Sequence, residues 1–231
     1  MRVAVIPARG GSKRIPKKNI KNFYGKPMIA WSINAALESE LFDEVLVSTD
    51  NEETAIIAKD FGALVPFVRP AKLSDDFAST TEVISHSVQW MLDAGYHLDA
   101  VCCIYATAPF INKKDLQESL KVFNKDRWEY VFTASEFASP IFRAFTKNED
   151  DAVEMVYPDF FNSRSQDLTD TFHDAGQFYW GRPSAWLENK KIFSPHSSAF
   201  VIPRYRVQDI DSDDDWKRAE IIAPLIFGAG N

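Results

Sequence analysis

A basic loop containing two glycines is the part of this sequence with the clearest chemistry. The apolar run from Val3 to Pro7 leads into Ala8-Arg9-Gly10-Gly11-Ser12-Lys13, and Lys18-Asn19 follow shortly after. A glycine pair at the end of a strand lets backbone N–H groups approach phosphate oxygens without a Cβ in the way. Arg9, Lys13 and Lys18 add positive charge, and arginine makes paired contacts with phosphate oxygens. The loop is therefore predicted to bind the phosphates of a nucleoside triphosphate, with a basic surface turn as the alternative.

Two common nucleotide-binding loops do not fit this segment. It lacks the Gly-x-x-x-x-Gly-Lys-Ser/Thr pattern of a Walker loop. It also lacks the Gly-x-Gly-x-x-Gly pattern, so the sequence gives little support to a dinucleotide-binding fold.

The charges of the chain are distributed unevenly, and this distribution is compatible with an anion site. The first 37 residues carry eight Lys or Arg and no Asp or Glu, whereas the other 194 carry 18 basic and 33 acidic side chains. A local positive field on an acidic protein favours a small anionic ligand and argues against nucleic acid as a partner. On charge alone, a solvated charged face is an equally good explanation.

Asp209-Ile210-Asp211 is the second segment with candidate chemistry. Alternate residues of an extended chain face the same side, so the two carboxylates point together, and carboxylate oxygens suit Mg²⁺. Asp213 to Asp215 have a simpler role, because acidic residues are favoured in the first turn of a helix. We therefore predict a metal site at the first pair and helix capping by the rest, although an Asp-x-Asp pair also occurs without a metal.

The hydrophobic pattern predicts the elements that must position these two segments. Apolar, β-branched runs alternate with stretches of helical periodicity, which is typical of βαβ units and a mainly parallel sheet flanked by helices. The predicted strands are Val3–Pro7, Glu44–Ser48, Leu64–Phe67, Ala100–Tyr105 and Tyr130–Ala134. The predicted helices are Met28–Ser39, Thr54–Phe61, Thr80–Ala94 and Lys114–Asn124, with Asp50 or Asn51 and Asn112 as caps. Ligands of such sheets bind at the carboxyl edge, where the basic loop begins.

The pattern changes after about Glu136. Phe142–Phe145 and Ala152–Val156 are predicted to be short strands around a polar turn, and the polar stretch Asn162–Asp174 follows. This part is predicted to leave the sheet. The parallel pattern is expected to resume at Gln177–Trp180 and Ala199–Ile202, before a last helix from about Asp213 to Leu225.

Length and composition predict one α/β domain in a reducing, cytoplasmic compartment. The 231 residues are 45% apolar and 26% charged, as in ordinary globular enzymes. No apolar run approaches the ~20 residues that span a bilayer, so no membrane association is expected. The first residues resemble a strand rather than a signal peptide. Cys102 and Cys103 are adjacent and make poor disulfide partners, so we expect buried thiols.

The order of these motifs resembles that of the CMP-sugar synthetases, which activate nine-carbon keto sugar acids. Ile6-Pro7-Ala8-Arg9-Gly10-Gly11-Ser12-Lys13 with Lys18-Asn19 matches the family signature, and Asp209-x-Asp211 is the last match. Between them, in order, lie Val47-Ser48-Thr49-Asp50, Arg69-Pro70, Ser79-Thr80-Thr81 and Thr107-x-Pro109. The resemblance implies a Rossmann-like nucleotidyltransferase fold and a homodimer formed through an inserted arm at about residues 136–174.

Two segments resemble the pseudaminic acid branch of this family rather than its sialic acid branch. They are Ile104-Tyr105-Ala106-Thr107-Ala108-Pro109-Phe110 and His173-Asp174-Ala175-Gly176-Gln177-Phe178-Tyr179. The sialic acid enzymes typically have Gln-Pro-Thr-Ser-Pro and Arg-Pro-Asn-Gly in these places. Pseudaminic acid carries acetamido groups and a terminal methyl, so Tyr105, Phe110 and Phe178 suit its pocket, although aromatic residues in strands often belong to the core.

The resemblance also implies a reaction in which CTP and a free nonulosonic acid give a CMP-sugar and pyrophosphate. The anomeric hydroxyl attacks the α-phosphate directly, so catalysis rests on positioning anions and neutralising charge. The implied catalytic residues are Arg9, Lys18 and Asp211, and Asp209 and Asp211 hold Mg²⁺ or another divalent cation. The implied nucleotide-binding residues are Ala8, Arg9, Gly10, Gly11, Ser12, Lys13, Lys18, Asn19, Arg69 and Thr80. The candidate sugar-binding residues are Tyr105, Thr107, Phe110, His173, Asp174, Gln177 and Phe178.

Several alternatives stay open at this point. Arg143 and Arg204 are equally available to the sugar carboxylate, residues 164–166 are candidates to reach a neighbouring subunit's site, and no general base stands out. Sialic acid, legionaminic acid and an eight-carbon acid are alternative substrates within the same class. A non-catalytic nucleotide-binding module is the alternative from a different class.

Overall fold

The computed structural model describes residues 1–125 and 127–228 of the chain. In chain order the strands are β1 (Arg2–Pro7), β2 (Asn22–Phe23), β3 (Lys26–Pro27), β4 (Glu44–Ser48), β5 (Ala100–Ile104), β6 (Tyr130–Glu136), β7 (Phe145–Lys147), β8 (Val153–Met155), β9 (Phe172–Gly181) and β10 (Ser197–Val201). The helices are α1 (Met28–Glu38), α2 (Glu52–Asp60), α3 (Thr80–Asp93), α4 (Lys113–Phe123), α5 (Pro183–Leu187) and α6 (Asp213–Phe227).

The main sheet has the order β10-β6-β9-β5-β1-β4 within the described residues. β1 is parallel to β4 and β5, and β10 is parallel to β6, so the predicted mainly parallel α/β fold is confirmed. The predicted direction of Gln177–Trp180 is wrong, because β9 runs antiparallel to both β5 and β6. The apolar pattern of a strand buried on both faces is the same in either direction, so it does not reveal this reversal.

The helix boundaries follow the predicted capping residues. Asn51 accepts a hydrogen bond from the Thr54 backbone at 2.8 Å, and Asn112 accepts one from Asp115 at 3.0 Å. At the start of α6, Ser212 and Asp215 form a reciprocal capping box, which confirms the predicted role of the acids after residue 212. In the described part of the chain, no helix combines the length and the apolar character that a membrane crossing requires.

The segment predicted to be a strand at Leu64–Phe67 lies beside β4 without forming a regular strand. Isolated bridges join Leu64 to Leu46 of β4 and Val68 to Thr49, the residue that follows β4. Pro66 lies between these two bridges, and proline has no N–H to donate to a ladder. The predicted position of this segment in the sheet is therefore correct, but the segment does not form a regular strand.

Residues 137–171 lie outside the sheet between β6 and β9, whereas Glu136 still belongs to β6 and Phe172 to Asp174 already belong to β9. Their hairpin differs from the expected one, because Ile141–Arg143 form a 3₁₀ turn and the first strand begins only at Phe145. Pro140 precedes this turn with an extended backbone (φ −56°, ψ 124°), and the chain turns only at Ile141. Several large apolar side chains of this segment are exposed, among them Phe145 at 64%, Val153 at 65% and Phe161 at 69%.

The core consists of three clusters, and two of them cover opposite faces of the sheet. One packs α1, α2 and α4 against the sheet and contains Cys102, and the other packs α3 and α5 and contains Cys103. This alternation follows from the two-residue period of a strand. Both thiols are buried and free, as expected.

The third cluster lies under α6 and comprises Ile15, Phe23, Met28, Phe110, Ile210, Trp216, Ala219 and Ala223. Ile15 belongs to the basic loop, and Ile210 stands between the two candidate metal ligands. The third cluster therefore holds two segments together that are almost 200 residues apart in the sequence.

Candidate active site

A cavity of about 580 Å³ opens at the carboxyl ends of β1 and β5. These strands are parallel neighbours, so the loops that follow them meet at one edge of the sheet. The cavity has a size that fits a small-molecule ligand. The predicted site residues that line it are Arg9, Ser12, Lys13, Lys18, Asn19, Arg69, Thr80, Tyr105, Thr107 and Asp211.

The backbone of the basic loop is held from two sides. The Gly10 N–H donates to Asp50 Oδ1 at 2.9 Å, and the Asn19 amide donates to the Arg9 carbonyl at 2.9 Å. A Cβ at Gly10 would lie 2.7 Å from the Cβ of Asn51, whereas a Cβ at Gly11 would meet no atom within 4 Å. Gly10 is therefore required by packing, and Gly11 leaves open space on the exposed side of the loop.

Ala8 is part of the core, and it is not among the described residues that line the cavity. Its side chain is fully buried, and its N–H continues the pairing of β1 with β4 by donating to Ser48 O at 2.9 Å. The predicted contact of this residue with the nucleotide is therefore not supported.

Two cations of the basic loop share one carboxylate. Arg9 Nη1 lies 2.7 Å from Asp76 Oδ1, and Lys13 Nζ lies 2.5 Å from Asp76 Oδ2. Hydrogen bonds from Lys13 and Arg9 lower the pKa of Asp76. All three side chains line the cavity, so a triphosphate that binds Arg9 and Lys13 competes with Asp76 for them.

Lys18 lies next to Asp211, two residues before the last helix, α6. Its ammonium group is 3.3 Å from Asp211 Oδ1 and also donates to the Ile210 carbonyl. Arg14 Nη2 is 3.0 Å from the same Asp211 oxygen. This contact brings the predicted phosphate-binding loop and one predicted metal ligand into a common site.

Asp209 and Asp211 flank a fully buried Ile210, which is the alternation expected of an extended segment. Asp209 keeps solvent exposure, yet partial burial of its carboxylate and the negative charge of Asp211 raise its pKa. Asp174 adds a smaller effect in the same direction. A divalent cation would relieve this accumulation of negative charge, so the donor set fits Mg²⁺.

Asp209 and Asp211 are the two candidate metal ligands at this site. Among residues 1–125 and 127–228, no group of three or more His, Cys, Asp or Glu side chains has an arrangement that could hold a metal ion. Mg²⁺ is commonly held by one or two carboxylates together with substrate phosphates and water. Two aspartates beside a predicted triphosphate site match that pattern.

Arg69 is a buried cation at the wall of the cavity. It is 4% exposed, its Nη2 lies 3.6 Å from Asp50, and its Nε donates to Ser74 at 3.2 Å. Burial lowers the pKa of Arg69, although arginine stays charged throughout the neutral range. Since Asp50 also accepts from Gly10, one carboxylate connects the basic loop to Arg69.

A row of phenols leads from the cavity to the second predicted sugar segment. Tyr105 lies 3.4 Å from the Thr80 hydroxyl, and its ring centroid is 5.3 Å from that of Tyr179. Tyr179 donates to Asp174, whose other oxygen accepts from the Gly176 N–H. Burial raises the pKa of both tyrosines, so they remain protonated at neutral pH.

Three of the residues predicted to contact the sugar are buried in the protein interior. Phe178 is fully buried in the cluster beneath α1, and Phe110 is 2% exposed within the third cluster. Gln177 is 3% exposed, and its amide donates inward to the Arg206 carbonyl at 2.7 Å. Aromatic and amide side chains suit a sugar pocket by type, but here they face the protein interior.

His173 and Asp174 are placed near the cavity but are not among the described residues that line it. His173 is partly exposed, packs at 5.0 Å against Phe137, and contacts its neighbour's carbonyl. Arg143 donates to the Ser163 carbonyl, and Arg164 pairs with Asp167 at 2.7 Å. These residues of the inserted segment therefore contact their own surroundings rather than the cavity.

Sequence reasoning missed several residues that line the cavity, notably Arg14, Asp75 and Asp76. Arg14 was recoverable, because it belongs to the same basic loop. The two acids follow the Arg69-Pro70 motif and precede Ser79-Thr80, which was the available signal. Their contact with the basic loop depends on a fold that brings together residues more than 60 positions apart.

Comparison with known proteins adds independent information. A family described as "Cytidylyltransferase" matches residues 3–158. The chain is 49% identical over 220 residues to a pseudaminic acid cytidylyltransferase of Campylobacter jejuni, covering 95% of each chain. It is 30% identical to a CMP-N,N'-diacetyllegionaminic acid synthase of Legionella pneumophila, covering 96% of each.

A solved structure shows the same fold at low sequence identity. It is a CMP:2-keto-3-deoxy-manno-octonic acid synthetase in complex with CTP, with a TM-score of 0.70 and 18% identity. The similarity covers 97% of this chain and 98% of the other. The predicted Rossmann-like nucleotidyltransferase architecture is thereby confirmed.

Proposed function

Because this chain belongs to the cytidylyltransferase family, we propose that it transfers the CMP group of CTP to pseudaminic acid and releases pyrophosphate. One observation carries the proposal: Lys18 of the basic loop and Asp211 lie 3.3 Å apart and line a common cavity. This contact supports a site in which a phosphate-binding cation lies beside a metal-binding carboxylate. The similarity to the Campylobacter protein supports pseudaminic acid as the acceptor.

In the proposed reaction, the anomeric hydroxyl of the sugar acid attacks the α-phosphorus of CTP. An O–P bond forms, the bond from the α-phosphorus to the bridging oxygen breaks, pyrophosphate leaves, and the hydroxyl proton passes to solvent water. Arg9, Ser12 and Lys13 hold the triphosphate, and Lys18 neutralises charge on the α-phosphate. Arg69 and Thr80, which also line the cavity, contact the nucleotide. Catalysis then depends on positioned cations rather than on a covalent intermediate.

Asp209 and Asp211 would hold Mg²⁺ or another divalent cation. When bound, such a cation supplies charge neutralisation at the phosphates and at the oxygen that attacks or leaves. Lys18 and Arg14 contact Asp211 and line the same cavity, so both would also be within reach of phosphate oxygens. Protonation of Asp209 removes a ligand, so cation binding weakens as the pH falls. The raised pKa of Asp209 moves this loss to a higher pH than for an ordinary aspartate.

The sugar acid is proposed to bind on the side of the cavity that Tyr105 and Thr107 line. Tyr105 is a protonated phenol at neutral pH and therefore donates a hydrogen bond rather than accepting the proton of the attacking hydroxyl. His173 and Asp174 complete this side if the sugar extends past Tyr105. Phe110, Gln177 and Phe178 support the site from the interior without contacting the sugar.

We further propose that the inserted arm, residues 136–174, mediates a homodimer. Its exposed Phe145, Val153 and Phe161 are the kind of apolar surface that monomeric proteins rarely expose together. Light scattering after size-exclusion chromatography tests this: a mass near twice 26.2 kDa is expected, and a monomer at micromolar concentration contradicts it. Two buried free thiols fit a reducing compartment such as the cytoplasm.

The test of the proposed function is pyrophosphate release by the purified protein. In one series, CTP and Mg²⁺ are offered with pseudaminic, legionaminic, sialic and eight-carbon keto acids. In a second series, CTP is replaced by each other nucleoside triphosphate in turn. The highest kcat/KM is expected for CTP with pseudaminic acid. Preference for another of these acids would overturn the sugar assignment and keep the reaction class. Nucleotide binding without any turnover would favour a non-catalytic module.

A further inference from the structure

The acidic segment, residues 202–212, carries Asp209 and Asp211 and has little regular structure of its own. It connects β10 to α6 over residues 202–212, and its only helical turn is Arg204–Arg206. At its start the Ile202 N–H donates to Ala134 O at 2.9 Å, and near its end Ile210 is buried in the third cluster. Between these anchors, the position of the two acids depends on other contacts.

Arg206 supplies a central anchor through its side chain. Its guanidinium forms a two-point ion pair with Asp115, with Nη2 3.1 Å from Oδ1 and a second contact between Nη1 and Oδ2. The two side chains are only 13% and 10% exposed. Asp115 lies in the first turn of α4, where Asn112 caps its backbone N–H, so the carboxylate sits on a rigid element.

Arg206 is also held through its backbone. Its carbonyl accepts the hydrogen bond from the buried Gln177 amide at 2.7 Å. Gln177 lies in β9, next to β5, and its own carbonyl accepts from the Tyr105 N–H at 2.9 Å. The segment is therefore attached both to α4 and to the strand that supports the sugar side of the cavity.

We propose that Asp115, Arg206 and Gln177 are positioning residues that hold Asp209 and Asp211 in register for the cation and the triphosphate. Asp209 lies three positions after Arg206, at most about 10 Å of chain, so a shift at Arg206 passes directly to the acids. This inference rests on the proposed function, since it assigns these residues to the same metal site.

Energetics also favour a geometric role for the ion pair. Two charges removed from water regain little net stability, and a buried pair is often no better than apolar packing of the same volume. A planar two-point contact does, however, fix the orientation of both partners. Groups that orient metal ligands commonly change metal affinity or activity by about 10- to 100-fold when they are removed.

The experiment compares Asp115→Asn, Arg206→Lys and Gln177→Met with the control Glu129→Gln. Glu129 forms a partly buried ion pair with Lys190 at 2.8 Å, away from the acidic segment, so its variant reports the general effect of losing such a pair. Three quantities are measured: Mn²⁺ binding by electron paramagnetic resonance with a non-hydrolysable CTP analogue, kcat and KM for CTP, and amide hydrogen exchange over residues 207–212.

Asp115→Asn is expected to weaken Mn²⁺ binding and to lower kcat by about 10- to 100-fold each, with KM for CTP changed less than about threefold. Hydrogen exchange of residues 207–212 becomes faster. Arg206→Lys keeps the charge but loses the two-point geometry, so about a threefold to tenfold loss is expected. Gln177→Met weakens Mn²⁺ binding in the same direction, and Glu129→Gln leaves all three quantities at the wild-type level.

The inference is overturned if folded Asp115→Asn and Gln177→Met bind Mn²⁺ and turn over like Glu129→Gln. If Asp115→Asn does not fold, Gln177→Met and Arg206→Lys decide, since neither leaves an unpaired buried charge. Absence of pyrophosphate release by the wild-type protein would instead overturn the proposed function. The Mn²⁺ titration and hydrogen exchange would then still decide whether these residues position the acids.

Discussion

The basic loop at residues 8–19 and the acidic segment at residues 202–212 meet in one cavity but are built differently. The loop is held through backbone hydrogen bonds and the buried Ile15, and Lys13 reaches outward with a side chain that is 79% exposed, whereas Lys18 is 17% exposed. The acidic segment is held through buried side chains of other elements, among them Asp115 and Gln177. Exposed ion pairs are weak and easily exchanged for a ligand, whereas groups close to the reacting atoms need fixed geometry. The difference suggests that the loop mainly captures the triphosphate and that the acidic segment mainly determines turnover.

The largest expected effect is at the acidic segment. Asp211→Asn removes a charged oxygen ligand and leaves Lys18 and Arg14 without their partner, so turnover should fall by about 10²- to 10³-fold. Pyrophosphate release at saturating CTP measures it. Asp214→Asn is the matched control, because Asp214 is 93% exposed at its side chain and pairs only with Lys217 among the described contacts. Wild-type turnover by Asp211→Asn would remove the acidic segment from the mechanism.

An intermediate effect is expected at the two glycines of the basic loop. Gly10→Ala places a Cβ 2.7 Å from Asn51, and this overpacking should cost about 1–3 kcal/mol of unfolding free energy and weaken CTP binding. Gly11→Ala meets no protein atom within 4 Å, so its melting temperature should equal that of the wild type. Calorimetric unfolding with and without CTP separates the two.

The CTP affinity of Gly11→Ala tests whether Gly11 faces the triphosphate. If its Cβ faces the phosphates, CTP affinity falls although stability is unchanged. Unchanged affinity would show that the triphosphate does not approach Gly11, contrary to the predicted role of that residue.

The smallest expected effect is at Asp76, which competes with the triphosphate for Arg9 and Lys13. Asp76→Asn should tighten CTP binding by about two- to fivefold at low salt, and the gain should shrink as ionic strength rises. Isothermal titration measures it. Glu53→Gln is the control, since Glu53 pairs with Lys17 of the same loop outside this cavity. An equal gain in both variants would indicate a general field effect and not competition at one site.

Much of the site was predictable because its motifs are local. The glycine pair and its cations follow one strand, and Asp209 and Asp211 alternate around a buried Ile210, so short-range periodicity places them correctly. Helix ends were predictable for the same reason, as Asn51 and Asn112 cap the turns that directly follow them. The family resemblance rested on the order of such local motifs.

The amino-acid order thus specifies the set of chemical groups, the alternation of strands and helices, and the edge of the sheet where the basic loop lies. Tertiary structure alone decided that β9 runs antiparallel, that Phe110, Gln177 and Phe178 face inward, and that Asp76 and Asp115 meet arginines far along the chain. A residue's type limits the contacts it can make. The partner of a residue and the direction in which its side chain points depend on the packing of distant segments, which hydrophobic periodicity does not encode.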